Sequence, residues 1–319
     1  MTETSLPLRP LGNTGLKVSA VSLGAAPFGR VDDEVAAQTV HRALELGVNL
    51  IDTSPLYGDG ESERRLGLAL AAWWAQGGKR ADLVLCTKTG TRSRPYDYSA
   101  DATRWSIDES LRILKTDYLD VVHIHDPDRI EQALGPGRAL EALQELKRQG
   151  VVRHIGLGVR GLDLHCAFHE TGCCEASLTY RDYSLISQAA AERLLPSAER
   201  HGVGLLNAQM VRHGLLGGED PRTVERRFSA RPGFQPGDIS YIEPWEVERA
   251  TRLWQWCRDR DIDLLALSVQ FGLRDPRISS QMIGTGSPDH LEAGVRAALH
   301  PIADEVWQEL AADFTIRGV

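Results

Sequence analysis

The chain has 319 residues and a formal net charge of −8 at pH 7. It contains no basic run or stripe that would neutralise a phosphate backbone, which argues against a nucleic acid as its main partner. No stretch approaches the roughly 18 apolar residues of a membrane span, and the first residues lack the apolar core of an export signal. The five cysteines show neither zinc spacing nor C-x-x-C pairs, which suits a reducing compartment. We therefore expect a cytoplasmic enzyme that holds no metal and does not bind a membrane.

Short runs rich in Val, Ile and Leu alternate with longer segments of helical spacing, which is the pattern of a parallel sheet. The eight predicted strands cover residues 20–23, 50–52, 83–87, 119–125, 154–158, 175–179, 204–207 and 281–283. Predicted helices between them cover residues 33–46, 62–75, 103–115, 137–149 and 189–200. Because no change in composition marks a linker, the pattern favours one α/β domain over residues 1–319, a (β/α)8 TIM barrel, over two domains. A doubly wound sheet is the structural alternative, but no G-x-G-x-x-G motif follows the first strand.

Two further segments add to the predicted barrel. The run R-P-L-G-N-T-G-L-K-V-S predicts an N-terminal β-hairpin that turns at residues 13–15 and is placed to plug the bottom of the barrel. After the seventh strand, a long loop at residues 217–244 precedes two extra C-terminal helices, at residues 245–260 and 264–273. Loops of this length usually serve function or are mobile, so we expect this one to shape the substrate site.

Four side chains of complementary chemistry stand at or just after predicted strand ends. Asp52, Lys88 and His125 end the second, third and fourth strands, and Tyr57 lies in the loop after the second. Lys88 is one of only five lysines in the chain. In a (β/α)8 barrel the carboxyl ends of the strands meet at one mouth, so we expect the four residues to be neighbours.

The four residues suit proton transfer coupled to hydride transfer. The pKa of a tyrosine is ordinarily about 10, and a nearby ammonium such as that of Lys88 is expected to lower it. Asp52 would hold Lys88 charged, and His125 would orient a substrate oxygen by hydrogen bonding. Because no side chain supplies a hydride, a nicotinamide or flavin must be bound.

A phosphate site is predicted where Q-M-I-G-T-G-S-P follows the last strand and opens a helix. Gly284 and Gly286 permit close approach of the backbone, Ser287 is a natural helix N-cap, and Pro288 suits the first helical position. Free N–H groups at such a helix start bind phosphate, and barrels commonly bind phosphate after their last strands.

Taken together, these motifs resemble the aldo-keto reductase family over nearly the whole chain. The resemblance rests on L-G-N-T-G-L-K-V-S, D-T-S-P-L-Y-G, T-K-T-G, L-D-V-V-H-I-H-D-P and I-G-T-G-S-P, in that order. Within the family, the sequence is most similar to the branch of L-galactose, L-fucose and related aldose 1-dehydrogenases. The resemblance implies a catalytic tetrad of Asp52, Tyr57, Lys88 and His125 and a nicotinamide dinucleotide that lies across the mouth.

The resemblance also implies two sets of contacts around this tetrad. The expected cofactor contacts are Gly24, Asp52, Tyr180, Asn207, Gln209, Gly214, Gly284, Thr285, Gly286, Ser287 and His290. The expected substrate contacts are Phe28, Tyr57, Tyr96 and His125. Further aromatic candidates for a sugar-facing wall are Tyr98, Trp245, Trp254 and Trp256, although the last two also suit helix packing.

The chain departs from the family pattern at several positions near the nicotinamide. Gly158 and Val159 replace the usual serine and asparagine that hold the carboxamide, Tyr180 replaces a glutamine, and Ala208 replaces the stacking aromatic. Tyr180 or Tyr183 is a candidate to supply the missing ring.

The basic residues that clamp the 2′-phosphate of NADP in relatives are also missing. Gly284 and His290 stand at those positions, and Gly294 replaces a late asparagine. We therefore expect NAD to be preferred, with NADP as the alternative cofactor.

Other interpretations of single residues remain open. His123 precedes His125 by two positions and is expected to face the barrel interior as a packed residue. An H-x-H pair on a barrel strand is also typical of metal-dependent amidohydrolases, but their pair normally lies on the first strand. Arg160 and Arg212 follow strand ends and are candidates for the pyrophosphate, for an acidic substrate or for surface ion pairs.

The sequence thus predicts an NAD-dependent aldose 1-dehydrogenase that acts on a small-molecule sugar and releases a lactone. One alternative is an NADPH-dependent aldehyde or ketone reductase of secondary metabolism. A second is a non-catalytic regulatory subunit that binds the cofactor. The oligomeric state is left open.

Overall fold

A computed structural model describes residues 6–230 and 241–316 of the chain. Eight parallel strands close into a barrel in the order β10-β3-β4-β5-β6-β7-β8-β9, and β1 pairs with β2 in a separate antiparallel hairpin. The strands are β1 (Leu8–Pro10), β2 (Lys17–Ser19), β3 (Val21–Gly24), β4 (Leu50–Asp52), β5 (Val84–Thr89), β6 (Leu119–His125), β7 (Val152–Gly158), β8 (Ala176–Tyr180), β9 (Gly204–Ala208) and β10 (Ile278–Gly284). The predicted barrel is therefore confirmed.

Helices connect the strands and cover the outside of the barrel. They are α1 (Asp33–Glu45), α2 (Glu61–Ala75), α3 (Ala100–Leu114), α4 (Ala139–Arg148), α5 (Leu162–Glu170), α6 (Leu194–His201), α7 (Pro221–Ser229), α8 (Pro244–Asp259), α9 (Leu264–Arg274), α10 (Pro288–Leu299) and α11 (Asp304–Phe314). Within the two described ranges, none of these helices is long and apolar enough to cross a bilayer.

The hairpin of β1 and β2 closes the bottom of the barrel, as the sequence predicts. Leu11 and Val18 are fully buried and belong to the same apolar cluster as Leu50 and Val84, whose side chains fill the barrel. The packing is tight, because a Cβ at Gly12 would stand 2.3 Å from the backbone nitrogen of Gly204. The mouth of the barrel, at the carboxyl ends of the eight strands, lies at the opposite end.

Inward-facing side chains from alternate strands stack in layers, as is general for this fold. The strand register gives four such layers, counted from the hairpin end upward. The first holds Leu50, Val121, Ala176 and Ser280, and the second holds Ser22, Cys86, Gly156 and Leu206. The third holds Asp52, His123, Leu178 and Met282, and the fourth holds Gly24, Lys88, Gly158 and Ala208. The layer nearest the mouth thus combines one lysine with three residues that have little or no side chain. We call this layer the floor of the mouth.

Two predicted segments differ from the structure. The predicted loop at residues 217–244 contains α7, which begins with Asp220 as N-cap accepting a hydrogen bond from Arg222 N at 3.0 Å and with Pro221 as its first residue. Asp220 followed by Pro221 is typical of a helix start, but only a loop was predicted here. Residues 231–240 of that loop lie outside the described residues. The predicted helix at 189–200 is a short 3-10 turn followed by α6, and α5 was not predicted.

The lysines are distributed unevenly over the fold. Lys88 is 1% exposed, whereas Lys17, Lys79, Lys115 and Lys147 are all exposed. Lys17 lies in the hairpin, and the other three stand where a helix or turn leads into the start of a strand. All four exposed lysines therefore lie at the end of the barrel that is opposite to the mouth.

Candidate active site

Lys88 and Asp52 form a buried ion pair at the floor of the mouth. Lys88 Nζ donates hydrogen bonds to Asp52 Oδ1 and, at 2.8 Å, to the backbone carbonyl of Thr53. Both side chains are about 1–2% exposed. Burial acts against the ammonium, but the negative charge of Asp52 and the interaction with Tyr57 outweigh it and raise the pKa of Lys88. Lys88 therefore stays a cation over the whole neutral range.

Tyr57 lies directly above this pair, in the loop that follows β4. Lys88 Nζ is 5.0 Å from the centre of the Tyr57 ring, and the interaction between the two side chains acts on both pKa values. The expected lowering of the Tyr57 pKa is wrong in its net sign. Desolvation by the surrounding protein raises the pKa of Tyr57, and the opposite effect of Lys88 is smaller. Tyr57 is thus a neutral phenol at neutral pH, with part of its surface exposed to the mouth.

His125 faces Tyr57 from the end of β6. The two rings meet edge to face, with 5.8 Å between their centres. His125 Nδ1 lies 3.1 Å from both Ser54 Oγ and Thr91 Oγ1, and two hydroxyl donors at Nδ1 favour the tautomer with hydrogen on Nε2. Burial and the nearby charge of Lys88 hold the pKa of His125 well below its ordinary value. The imidazole is therefore neutral and can donate a hydrogen bond to a ligand oxygen.

Asp126, which had no role assigned from the sequence, and Tyr98 support the position of His125. Asp126 follows His125 with a left-handed backbone (φ 43°), and its Oδ1 accepts a hydrogen bond from the Tyr180 hydroxyl at 3.3 Å. Tyr98 donates its hydroxyl hydrogen to the backbone carbonyls of His125 and Asp126, at 2.7 and 2.9 Å. Tyr98 is therefore a support of the His125 segment and is buried, instead of forming an open wall for a sugar. The run H-I-H-D-P contained Asp126, but nothing in it indicated the left-handed turn.

His123 packs one layer below the floor and is fully buried. Its ring nitrogens have no hydrogen-bond partner of normal geometry among the described residues. Burial and the charge of Lys88 hold the pKa of His123 well below its ordinary value, so the ring is neutral. No group of three or more His, Cys, Asp or Glu side chains placed to hold a metal ion occurs in the described part of the chain.

The floor beside Lys88 has room for an additional side-chain atom at Gly158. A Cβ built on Gly158 would make only ordinary contacts, at 3.4 Å to His123 Cβ and 3.6 Å to Lys88 Cε. A Cβ on Gly24 would lie 3.1 Å from the flexible side chain of Met282. Ala208 is partly exposed at the end of β9. The departures from the family pattern at residues 158 and 208 therefore leave free volume beside the ion pair.

The turn between β10 and α10 borders the mouth on one side. Ser287 caps α10 by accepting a hydrogen bond from His290 N at 3.4 Å, and Thr285 Oγ1 accepts one from Ser287 N at 3.0 Å. Gly284 is exposed, and a Cβ built on it would meet nothing within 4 Å. The helix start thus faces open space, which is the arrangement that accommodates a phosphate.

Some of the expected contact residues lie away from the mouth. Asn207 uses its amide nitrogen to bind the Tyr183 carbonyl at 2.9 Å and Gln281 Oε1 at 2.7 Å, on the outer side of β9. Phe28 is fully buried in the main hydrophobic core. Tyr183 is 1% exposed and packs on Phe271, so Tyr180 is the tyrosine at the mouth.

The remaining aromatic candidates divide between surface and packing positions. Tyr96 is 43% exposed beneath the guanidinium of Arg94, and Trp245 is also exposed. Trp254 donates to the Gly218 carbonyl, and Trp256 donates to Asp313 at 2.7 Å. Trp254 and Trp256 therefore pack α8, which is the alternative that the sequence left open.

The loop after β9 carries several left-handed residues and a buried arginine. Gln209, Arg212, His213 and Gly214 all have φ between 45° and 93°. Arg212 is 2% exposed and binds Glu246 through Nε at 2.7 Å and Nη2 at 2.9 Å. This pair ties the loop after β9 to the first turn of α8. Arg160, by contrast, is exposed and lies 3.7 Å from Asp182.

Several dehydrogenases are similar in sequence to this chain over most of its length. L-galactose dehydrogenase of Arabidopsis thaliana is 34% identical over 92% of this chain and 88% of its own length. D-threo-aldose 1-dehydrogenase of a Pseudomonas species is 28% identical over 93% of this chain and 94% of its own. Pyridoxal 4-dehydrogenase of Microbacterium luteolum is 29% identical over 96% of both chains.

A solved structure and a family model indicate the same family as these relatives. The holo form of an aldo-keto reductase from Bacillus halodurans superposes with a TM-score of 0.74 and 26% identity, over 96% of each chain. Residues 20–312 match the model of the aldo/keto reductase family. The barrel, the matched residues and the dehydrogenase relatives establish that this chain is an oxidoreductase and belongs to the aldo/keto reductase family.

Proposed function

We propose that this protein is an NAD-dependent aldose 1-dehydrogenase that oxidises a sugar at C1 to the lactone. The observation that carries the proposal is the position of Tyr57 between the Lys88–Asp52 pair and His125 at the mouth of the barrel. The choice of a sugar is supported by the two aldose dehydrogenase relatives, which are 34% and 28% identical to this chain. All five cysteines are free thiols, which supports a reducing compartment such as the cytoplasm.

Two features of the mouth support a nicotinamide dinucleotide as the cofactor. Gly24, Gly158 and Ala208 carry little or no side chain in the floor beside Lys88, so they would not obstruct a planar ring that approaches the ion pair. Gly284, beside which a Cβ would meet nothing within 4 Å, leaves open space near the start of α10, where the phosphates could bind. When bound, the nicotinamide would accept the hydride that leaves C1 of the sugar.

The residues of the mouth would handle the accompanying proton. Tyr57 takes the proton of the C1 hydroxyl as the carbon becomes a carbonyl carbon, and Lys88 stabilises the phenolate that has to form first. Asp52 keeps Lys88 charged and fixed. His125, neutral and with hydrogen on Nε2, donates a hydrogen bond to the C1 oxygen and orients it towards Tyr57.

The choice of NAD over NADP follows from the charge at the start of α10. Asp289 is the acidic residue of the first turn and is exposed, and the basic residue Arg296 stands only in the last turn. A carboxylate here would repel the 2′-phosphate of NADP. An asparagine would not fit at position 294 without a shift, because a Cβ there would lie 2.0 Å from Ile283 Cδ1.

The raised pKa of Tyr57 favours a second candidate, the reduction of an aldehyde or ketone by NADPH. Carbonyl reduction needs Tyr57 as a proton donor, and the phenol is the form present at neutral pH. Both candidates use the same residues in opposite directions. Small-molecule substrates are expected in either case.

Absorbance of the reduced nicotinamide tests these proposals. Purified protein would be assayed with NAD or NADP and a panel of aldoses, with pyridoxal added for comparison with the relative named above, and with NADPH and a panel of carbonyl compounds. We expect L-galactose-type sugars with NAD to give the highest kcat/KM. A kcat/KM that is highest for carbonyl reduction with NADPH would replace the first candidate by the second. A protein that binds cofactor but turns over no compound would point to the regulatory subunit instead.

A further inference from the structure

A buried row of hydrogen-bonded side chains runs behind the barrel wall and ends beside the mouth. Its members are Ser197 of α6, His169 and His165 of α5, and Ser177 of β8. All four side chains are buried, with at most 1% exposed. The row comprises Ser197 Oγ to His169 Nδ1 at 3.0 Å, His169 Nε2 to Ser177 Oγ at 2.9 Å, and Ser177 Oγ to His165 Nδ1 at 3.0 Å. His165 Nε2 then reaches the backbone carbonyl of Val159 at 2.8 Å.

The hydrogens of this row have one consistent arrangement when both imidazoles are neutral. The Val159 carbonyl can only accept, so His165 carries its hydrogen on Nε2 and accepts at Nδ1. Ser177 must donate to that Nδ1, so its oxygen accepts from His169 Nε2. His169 Nδ1 then accepts from Ser197. Burial lowers the pKa of His165 to about 4 and that of His169 to about 3, which agrees with two neutral rings.

The accepting carbonyl belongs to the segment that walls the mouth. Val159 follows Gly158, which contributes to the floor beside Lys88. The same segment is held by two further backbone bonds, from Asp126 N to the Gly158 carbonyl at 3.0 Å and from Val159 N to the Leu178 carbonyl at 3.3 Å. Gly158 and Val159 have no polar side chain, so only their backbone groups can make polar contacts with a ligand here. The direction of those groups depends on the bonds that fix the segment.

We infer that His165 and His169 are positioning residues, which act through the Val159 carbonyl to fix the Gly158–Val159 backbone against the nicotinamide end of the bound cofactor. This inference rests on the proposed use of a nicotinamide cofactor. The two histidines touch neither substrate nor cofactor themselves. Their effect is expected on cofactor affinity and much less on the chemical step.

Cofactor binding to matched variants tests the inference. His165→Leu removes both bonds of the imidazole, whereas His165→Gln can still donate towards Val159 and accept from Ser177. His201→Gln is the control, because its imidazole lies 6.1 Å from the His169 ring and its Nδ1 bonds the backbone carbonyl of Ser197, at 2.9 Å, instead of a side chain of the row. Calorimetry with NAD should give a Kd that rises on the order of tenfold for His165→Leu, because the Gly158–Val159 backbone would then have to be ordered when NAD binds. The Kd should stay within about twofold for the other two variants, and kcat at saturating NAD should change less than the Kd in all three.

Imidazole ¹⁵N spectra of the unmodified protein provide a second test, which does not require any variant to fold. They report the protonation state and the tautomer of each histidine. At pH 7 both His165 and His169 should be neutral with hydrogen on Nε2. A charged ring, or hydrogen on Nδ1 of either residue, would overturn the inference. An unchanged Kd in folded His165→Leu would overturn it as well. If the unmodified protein bound neither NAD nor NADP, the proposed function would fail first and the inference with it.

Discussion

Lys88 Nζ lies 5.0 Å from the centre of the Tyr57 ring and at the same time donates a hydrogen bond to Asp52. One buried ammonium thus joins a phenol at the mouth to a carboxylate one layer deeper in the barrel. The cation is held in place by two acceptors, Asp52 and the Thr53 carbonyl. Its charge is available to a developing phenolate without any rearrangement, which is the condition under which electrostatic stabilisation is most effective.

Removing the Tyr57 hydroxyl tests the proposed role of this phenol most directly. Tyr57→Phe keeps the ring and its contact with His125 but removes the group that would move the proton. We expect kcat to fall by roughly 10² to 10⁴-fold, the usual contribution of general acid–base catalysis, while the Kd for NAD stays within a few-fold. Steady-state kinetics and calorimetry measure the two quantities. A variant with nearly unchanged kcat would mean that another group moves the proton.

Breaking the Lys88–Asp52 pair should separate stability from activity. Lys88→Met leaves the Asp52 carboxylate buried without its partner, which ordinarily costs about 3–5 kcal/mol of unfolding free energy. The double variant Asp52→Asn with Lys88→Met removes both charges, so its unfolding free energy should recover most of that loss. Neither variant should regain turnover, because the phenolate would lack its cation. Denaturant unfolding and kcat report the two effects, and recovery of turnover in the double variant would contradict the role given to Lys88.

The oxidation rate should increase with pH. Burial raises the pKa of Tyr57 above its ordinary value of 10, so the phenolate fraction at pH 7 to 9 is small and grows about tenfold with each pH unit. The logarithm of kcat/KM for sugar oxidation should therefore rise with a slope of about one and should not level off below pH 10. Carbonyl reduction in the same buffers should stay nearly constant, because it uses the phenol. A plateau of the oxidation rate near pH 7 would show that the pKa is lowered instead.

The free volume at Gly158 predicts an unequal response to two similar substitutions. Gly158→Ser places its Cβ at ordinary contact distances, so the unfolding free energy should change by less than about 1 kcal/mol. Gly156→Ser is the matched control on the same strand, where a Cβ would stand 2.6 Å from both the Ala176 carbonyl oxygen and His123 Cδ2. That overlap should destabilise the protein by about 1–3 kcal/mol or prevent folding. Equal melting temperatures for the two variants would contradict the described packing.

The buried histidines of α5 should make the protein sensitive to acid. The pKa of His165 falls from 6.5 in the unfolded chain to about 4, so the unfolded chain binds more protons between these values. The neutral imidazole of His165 makes its full contribution to the unfolding free energy above about pH 6.5. This contribution is lost as the pH falls towards 4, and the loss between pH 7 and 5 is about 2 kcal/mol. Acid also lowers the unfolding free energy through His169, because its pKa in the folded protein falls to about 3. Denaturant unfolding at pH 7 and 5 should show a smaller loss for His165→Gln than for the unmodified protein, and an equal loss would exclude this origin.

The sequence predicts the barrel and the candidate catalytic side chains because both follow from local patterns. Each strand is a short apolar run, and the fold brings strand ends together wherever they occur in the chain. Alternation along a strand would also have indicated the outward position of Asn207, since Leu206 and Ala208 on either side of it face inward.

Other features depend on contacts that no local pattern contains. The row of His165, His169, Ser177 and Ser197 joins three elements, and its members become neighbours only when α5 and α6 pack against β8. The net sign of the Tyr57 pKa depends on how much protein surrounds the phenol, and the sequence shows only that a lysine is near. The left-handed backbone of Asp126 is held by a long-range contact of the same kind, because Tyr98 donates a hydrogen bond to the Asp126 carbonyl from a different part of the chain.

The uneven placement of the lysines has a practical consequence for attaching the protein to a surface. Reagents that react with amines will meet the side chains of Lys17, Lys79, Lys115 and Lys147, all at the hairpin end, while Lys88 is shielded in the barrel. A resin or sensor chip that captures lysines should therefore present every molecule in nearly one orientation, with its opening directed away from the support and towards the flowing solution.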